Sequence, residues 1–409
     1  MIQLRIDELP PLGALDARDD VIKGVKVDSR RVEPGDLFVA IGRGADHREE
    51  ALARGAAATL VPQEPFAAMA ALGTLVRDRA SARVVGITGS TGKTSTKDIL
   101  AALCAGAART VAAEASYNNE IGVPLTLCRL EPDTQVCILE LAMRGFGQIA
   151  DLCRIARPEI GVVTNVGPAH LELVGSLDGV LRAKGELIAA LPAEGTAIVP
   201  DEFPVERDDV TVVRLAEPEL VVEDGRALVG GVSFNFASRH QAANAAAALA
   251  ALDALALPRP ERVDVDFSRW RGEEVELPGG GLLINDAYNA NPVSMRAALA
   301  YLADRAGDRR RVAILGDMAE LGPGAPAFHR EIGEAAAHYG VQALVAVGEL
   351  SRGYLDGASG VPVARWAPDV PAGVAAAREV VEPGDCVLVK ASRAVGLEAA
   401  AEALAAVGV

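Results

Sequence analysis

The sequence predicts an α/β protein with three domains. From Arg83 onward, apolar runs of about 4–6 residues alternate with helical segments, the pattern of parallel strands covered on both faces and linked by helices. The alternation pauses at Pro258-Arg259-Pro260 and then resumes, which separates a central domain from a third. The residues before Arg83 lack that rhythm and read as a smaller α/β unit. The expected divisions are therefore 1–80 (small α/β), 81–260 (a mostly parallel central sheet) and 261–409 (a Rossmann-like α/β layer).

In the first domain, VKVDSRRVEPGDLFVAI holds two short β-rich runs around a Pro34-Gly35 turn, and REEALARGAAATLV reads as a helix feeding a strand. In the central domain RVVGIT, VCILEL and IGVVTNV are strands, with helices after Lys93, from Gly147 and from Ser176. A further helix is expected over 239–256. In the third, LLINDAY precedes the helical SMRAALAYLADRA, VAILGDM precedes HREIGEAAAHYG, and ALVAVG and CVLVK supply further strands.

Composition narrows the function. The chain has 409 residues, with 40 Lys+Arg against 56 Asp+Glu for a net charge of −16. Half the residues are hydrophobic and 23% are charged, which excludes a largely disordered chain. An acidic balance with few basic clusters argues against non-specific nucleic-acid or anionic-membrane binding, but not against binding of a nucleotide. The N-terminus has no signal-peptide pattern, and no stretch of about 18 uncharged apolar residues predicts a membrane span. The five cysteines, Cys104, Cys128, Cys137, Cys153 and Cys386, show no C-x-x-C spacing and mostly lie in apolar segments. Reduced structural thiols in a cytoplasmic protein are expected.

The strongest chemical signal is Gly86-Ile87-Thr88-Gly89-Ser90-Thr91-Gly92-Lys93-Thr94-Ser95. A buried strand running into a Gly-rich turn and then a helix points backbone N–H groups and the positive helix end at a phosphate chain. In that geometry Lys93 reaches the β/γ-phosphates and the Thr94 hydroxyl ligates Mg²⁺. The strict G-x-x-x-x-G-K-[ST] spacing is missed by one position, because Ile87 occupies the first glycine's place. Glu140 ends the strand VCILEL, where parallel sheets bind ligands, and fits a metal ligand or a helix cap equally. His170 follows IGVVTNV at the same edge, and a lone histidine there is more often structural than catalytic. By spacing alone Lys184 is an exposed helix lysine. His47, His329 and His338 read as structural or exposed.

Taken together, GSTGKTSTK, YNNEIGVPLTL, GPAHLE with RAKGEL, DAYNANPVSMRAAL, AILGDMAELG and VKASRAVGLE resemble the Mur ligases over essentially the whole chain. DAYNANP and LGDMAELG are similar to the members that add D-alanyl-D-alanine to UDP-N-acetylmuramoyl-tripeptide, and the Asp-Asn-Pro-Arg motif of the members that add the third residue is missing. The resemblance implies an ATP-dependent amide ligase, working as a cytoplasmic monomer with two Mg²⁺ ions. It implies that Gly89, Ser90, Thr91, Gly92, Lys93, Thr94 and Ser95 wrap ATP, with Asn118 and Asn119 near the phosphates. Thr94 and Glu140 are implied ligands of the first Mg²⁺; His170 and a carbamylated Lys184 of the second. Asn244, Arg271 and Asp286 are the implied adenosine and phosphate contacts. Tyr288, Asn289 and Asn291, with Lys390, Ser392 and Arg393, fall in substrate-side motifs, and Ser29 and Arg30 in the uridine-nucleotide motif.

Read without the family, several of these residues are ordinary. Asn291-Pro292 is a turn signal, Asp286 could cap the next helix, and Arg271 is a surface arginine. The chain also departs from the family pattern: no glycine separates Asp46 from His47, Ala142 follows the metal-site glutamate's strand in place of glycine, and Ala391 replaces the glycine of a VKGSR-like run. Two other functions are compatible with the central domain, a related ligase for another amino acid or a folate, and a non-catalytic nucleotide switch.

Overall fold

The structure, a computed structural model, describes residues 1–277 and 279–407. It divides into two compact units. The first comprises Met1–Thr164, Ala183–Phe236 and Ala242–Asp266; the second comprises Asn165–Arg182, Ala237–Gln241 and the chain from Phe267 onward.

At the centre of the first unit is a six-stranded sheet, ordered Thr211–Leu215, Thr196–Pro200, Ile160–Val163, Arg83–Thr88, Val136–Glu140, Thr110–Ala112. Every pairing in it is parallel. Strands that follow Arg83–Thr88 in sequence are added first on one side of it and then on the other. The strand order therefore reverses at Arg83–Thr88, and such a switch point opens a crevice at the C-terminal strand ends. Register sets Ile87 beside Glu140 and Thr88 beside Val163, so the three strand ends lie level. Val84, Val85 and Ile87 are fully buried, as are Ile138, Leu139, Val162 and Val163. This burial on both faces is why those runs are continuously apolar.

The N-terminal part of this unit has a four-stranded mixed sheet, ordered Gly13–Ala17, Ala58–Pro62, Asp36–Val39, Gly24–Lys26, beside a small Leu4–Arg5/Val21–Ile22 pair. A further four-stranded sheet, Val221–Glu223, Arg226–Val229, Val232–Phe234 and Arg262–Val263, was not legible in the sequence. Its strands are too short to establish a period of two. The helix Arg239–Ala254 falls where the Ala-rich run predicts one.

The second unit has its own six-stranded sheet: Glu273–Leu277, Gly281–Asn285, Cys386–Lys390, Arg311–Gly316, Ala343–Val347, Val363–Ala367. Only the first pair is antiparallel. The strand EEVEL escapes sequence reading because its three glutamates suit a charged, non-aggregating edge rather than a core. Among the described residues no helix is long and apolar enough to cross a membrane. All five cysteines are free and buried, and burial pushes the Cys104 and Cys386 thiols up to about 11, which keeps them protonated and inert.

One sequence departure is explained by packing. Ala391 is fully buried, and a Cβ added at Gly316 would lie 2.7 Å from the Ala391 methyl. The alanine fits because the neighbouring strand ends in a glycine. Gly316→Ala should therefore destabilise the second unit by about 1–3 kcal/mol through overpacking. Adding Ala391→Gly should return most of that loss. Thermal unfolding of the two single variants and the double variant checks this, and additive losses would show that the two positions do not share one space.

Candidate active site

The turn after Arg83–Thr88 is built for close approach. Gly89 and Gly92 have φ of +154° and +77°, and the helix Lys93–Cys104 starts directly after Gly92. A side chain at Gly92 would meet Asn244 Oδ1 at 2.2 Å, so the loop packs against Asn244 and only glycine fits. Thr164 Oγ1 donates to the Thr91 carbonyl at 2.6 Å and holds the loop from the adjacent strand end. Lys93 Nζ donates back to the Gly89 carbonyl at 2.9 Å.

Directly behind the loop lies a buried polar cluster. Thr94 Oγ1 donates to Glu140 Oε2 at 2.6 Å, and Asn118 Nδ2 donates to Glu140 Oε1 at 2.8 Å. Thr94 is fully buried and Glu140 is 1% exposed. Both donors to the carboxylate are neutral, so its charge is left for a cation. Among the described residues no three His, Cys, Asp or Glu side chains gather into a complete metal site. A hard cation at Glu140 would therefore take its remaining ligands from hydroxyl, phosphate and water oxygens, as Mg²⁺ does. Asn119 Oδ1 accepts from Ile121 N at 3.2 Å and Gly122 N at 2.9 Å, at the start of the short helix Gly122–Leu127.

Lys184 corrects the reading made from spacing. It is 2% exposed, not a solvated helix lysine. Burial, and then the nearby Lys93 charge, hold its pKa far below that of an ordinary lysine. Burial of this kind favours the neutral amine over the ammonium.

In the second unit the third-domain motifs also meet. Lys390, buried, sits 2.5 Å from Asp286 Oδ2 and donates to the Asn289 carbonyl at 2.8 Å. Asp286 does not cap the next helix; Asn291 does, accepting from Ser294 N at 2.9 Å. The Arg271 guanidinium lies over the Tyr288 ring at 4.0 Å, and Arg393 over Trp270 at 4.5 Å, so Arg271 is more than a solvated surface arginine. Ser392 Oγ accepts from Ala319 N and donates to the Ala290 carbonyl. His170 belongs to this unit, with its Nδ1 2.5 Å from Glu320 Oε2. Both residues have left-handed backbones, φ +57° and +61°. In the first unit, Ser29 Oγ donates to Glu50 at 2.8 Å, while exposed Arg30 pairs with Asp28 and holds that carboxyl down to about 2. Of the four other histidines, His329 is buried and structural, accepting from Met318 N at 3.0 Å, His240 is part-buried with its ring edge-on to Tyr301, and His47 and His338 are exposed.

Comparison with known proteins agrees with this geometry. Residues 87–252 match the Mur ligase middle domain, and 270–393 match the Mur ligase glutamate ligase domain. The UDP-N-acetylmuramoyl-tripeptide–D-alanyl-D-alanine ligase of Synechocystis is 34% identical over 95% of this chain and 93% of its own. The Mycobacterium tuberculosis H37Rv enzyme of that name is 37% identical over 93% and 92%. The chain belongs to the Mur ligases. Among solved structures, MurF from Acinetobacter baumannii superposes with a TM-score of 0.81 at 27% identity, covering 96% of each chain. MurF from Thermotoga maritima in complex with ADP gives 0.76 at 26% identity, over 93% of this chain and 96% of that one.

Against the Mur ligase pattern, the substitution at Ala142 leaves the local backbone anchored, since its N–H donates to the Asn118 carbonyl at 2.9 Å. Sequence reading passes over two contacts, one in each unit. Glu320 lies within LGDMAELG, and nothing in its spacing points to a histidine 150 positions away. Lys97 lies inside GSTGKTSTK with the signature of any helix lysine. If the loop is a phosphate cradle, Lys93→Ala should fold normally yet lose about 10²–10³ in turnover, the usual cost of one preorganised contact to developing charge. Circular dichroism together with an ADP-release assay decides it, and near wild-type turnover would remove Lys93 from the chemistry.

Proposed function

We propose that this chain uses ATP to join D-alanyl-D-alanine to UDP-N-acetylmuramoyl-tripeptide, forming the pentapeptide precursor of peptidoglycan. The observation that carries this reading is identity of 34–37% along nearly the whole chain with ligases of that name, on top of an intact strand–loop–helix phosphate cradle. The tripeptide carboxylate oxygen attacks the γ-phosphorus, ADP leaves, and an acyl phosphate remains. The dipeptide amine then attacks the acyl carbon, loses a proton and expels inorganic phosphate. The first step brings two anions together, so catalysis is mostly positioning and charge compensation.

In this reading Gly89 to Ser95 bind the phosphate chain, and Lys93 offsets charge on the transferred phosphoryl group. Thr94 and Glu140 would hold one Mg²⁺, and His170 with a carbamylated Lys184 a second. Bound Mg²⁺ would screen the repulsion between carboxylate and phosphate. Asn118 orients Glu140. Asn244, Arg271 and Asp286 serve the nucleotide, while Tyr288, Asn289, Asn291, Lys390, Ser392 and Arg393 serve the incoming dipeptide. Residues 1–80, with Ser29 and Arg30, take the uridine nucleotide; 81–260 take ATP; 261–409 close the set. In this reading the enzyme is a monomer, and the nucleotide substrates suit the cytoplasm.

A phosphate-release assay tests the reading. UDP-muramoyl-tripeptides differing at the third residue should give phosphate only when D-alanyl-D-alanine is added, and one of them should dominate. Release with glutamate or a folate, and none with the dipeptide, would redirect the assignment within the family.

Carbamylation of Lys184 is the sharper claim. The lone pair of the neutral amine attacks CO₂, and loss of one proton leaves an anionic carbamate whose oxygens suit a hard cation. A protonated lysine offers only donors and would repel the ion. Lys184→Ala should lose most turnover, and added formate or acetate should restore part of it. Lys93→Ala, which lacks a cation, should gain nothing from the same acids. An unchanged Lys184→Ala rate, or equal rescue of both variants, would defeat the carbamate.

A further inference from the structure

Lys97 is 3% exposed, one helical turn beyond Lys93 and Thr94, and the ligation chemistry makes no use of it. An ammonium buried to that extent is costly unless each donor finds a partner. Its Nζ donates to the carbonyls of Ala113 at 2.8 Å and Ala115 at 3.0 Å, and lies 2.9 Å from Asp98 Oδ1. A methionine would fill a helix–sheet contact without that desolvation cost, so packing alone gives no reason for a lysine.

The two carbonyls mark where the chain leaves the sheet. Thr110–Ala112 is the edge strand, and Ala113 N still donates to Ile138 O at 3.0 Å. Ala115 then takes a left-handed φ of +45°, a conformation unfavourable for a non-glycine residue. Three residues on is Asn118, whose side chain holds Glu140 Oε1 and whose carbonyl accepts from Ala142 N. The outer side of the same loop is tied by Glu114, 2.9 Å from Arg31 and 3.5 Å from Arg129.

We propose that Lys97 is a positioning residue: by clamping the Ala113 and Ala115 carbonyls it fixes the strained loop that aims Asn118, and through Asn118 the Glu140 carboxylate. It touches no substrate. The inference rests on the proposed role of Glu140 in metal and nucleotide binding.

The test uses the full-length enzyme as wild type, Lys97→Met, Lys97→Arg, Asn118→Ala and the Lys97→Met/Asn118→Ala double variant. Fluorescent ADP binding is titrated with Mg²⁺ alongside steady-state kinetics. Lys97→Met should weaken Mg²⁺-dependent nucleotide binding and turnover about 10–100-fold, the usual cost of losing an outer-shell support. Its KM for the UDP-tripeptide should change far less, because the Glu114–Arg31 ion pair beside the uridine motif is left in place. Lys97→Arg, which keeps a cation and donors, should recover part of the loss. The double variant should be little worse than Asn118→Ala, since Lys97 acts through Asn118. Unaltered Mg²⁺ dependence in Lys97→Met overturns the proposal. So do multiplicative losses in the double variant, or a fall in UDP-tripeptide affinity that tracks a lower melting temperature. If wild-type enzyme itself showed no Mg²⁺-dependent ADP binding, the functional reading would fail first, and separately.

Discussion

Burying the Glu140 carboxylate at the end of a parallel strand constrains much of the first unit. A charge taken out of water is tolerated only when its oxygens are hydrogen-bonded and its charge has a partner to expect. Here Thr94 and Asn118 each take one oxygen. Thr94 is delivered by the helix that follows the Gly-rich turn, and Asn118 by a loop leaving the sheet edge. The turn, the helix start and the loop must then all converge on one strand end. Parallel register achieves this, because it keeps the ends of Arg83–Thr88 and Val136–Glu140 side by side.

Three buried lysines show three solutions to one electrostatic problem. Lys97 is compensated by backbone carbonyls and Asp98, and Lys390 by Asp286 and the Asn289 carbonyl. Lys184 instead has its charged form disfavoured, by burial and by Lys93. The first two keep a paired ammonium, while the third is shifted toward its neutral form. The same residue type thus meets burial in different ways, and only surroundings separate them.

Left-handed non-glycine residues are spread over both units, at Arg157, Glu194, Asp224, Ala256 and Trp270 among others. His170, Glu320 and Ala115 all adopt left-handed conformations, and each lies on a loop beside residues assigned to chemistry. Strain of this kind persists where neighbouring contacts over-determine it. The His170–Glu320 pair and the Lys97 clamp supply those contacts. The Ala391–Gly316 contact shows the complementary case, in which a departure from a family pattern is absorbed by packing without strain.

Much of the architecture was determined by sequence alone. Runs such as RVVGIT, VCILEL and CVLVK are apolar on both faces because both faces are covered, so their periodicity announced parallel strands. The Gly-rich turn before Lys93 likewise declared the helix that follows, and its glycines take the positive φ such a turn needs. The short sheet between residues 221 and 263 and the glutamate-rich edge strand Glu273–Leu277 were silent, being too short or too polar to carry a period. Among the candidate residues, those on the Gly-rich loop were legible because their pattern is contiguous in sequence. Lys184, Lys97 and Glu320 were not, because burial and pairing across 16 to 150 positions are properties of the folded chain. A lysine on a helix reads the same in sequence whether its amine faces water or the interior; tertiary packing alone decides whether it keeps its proton.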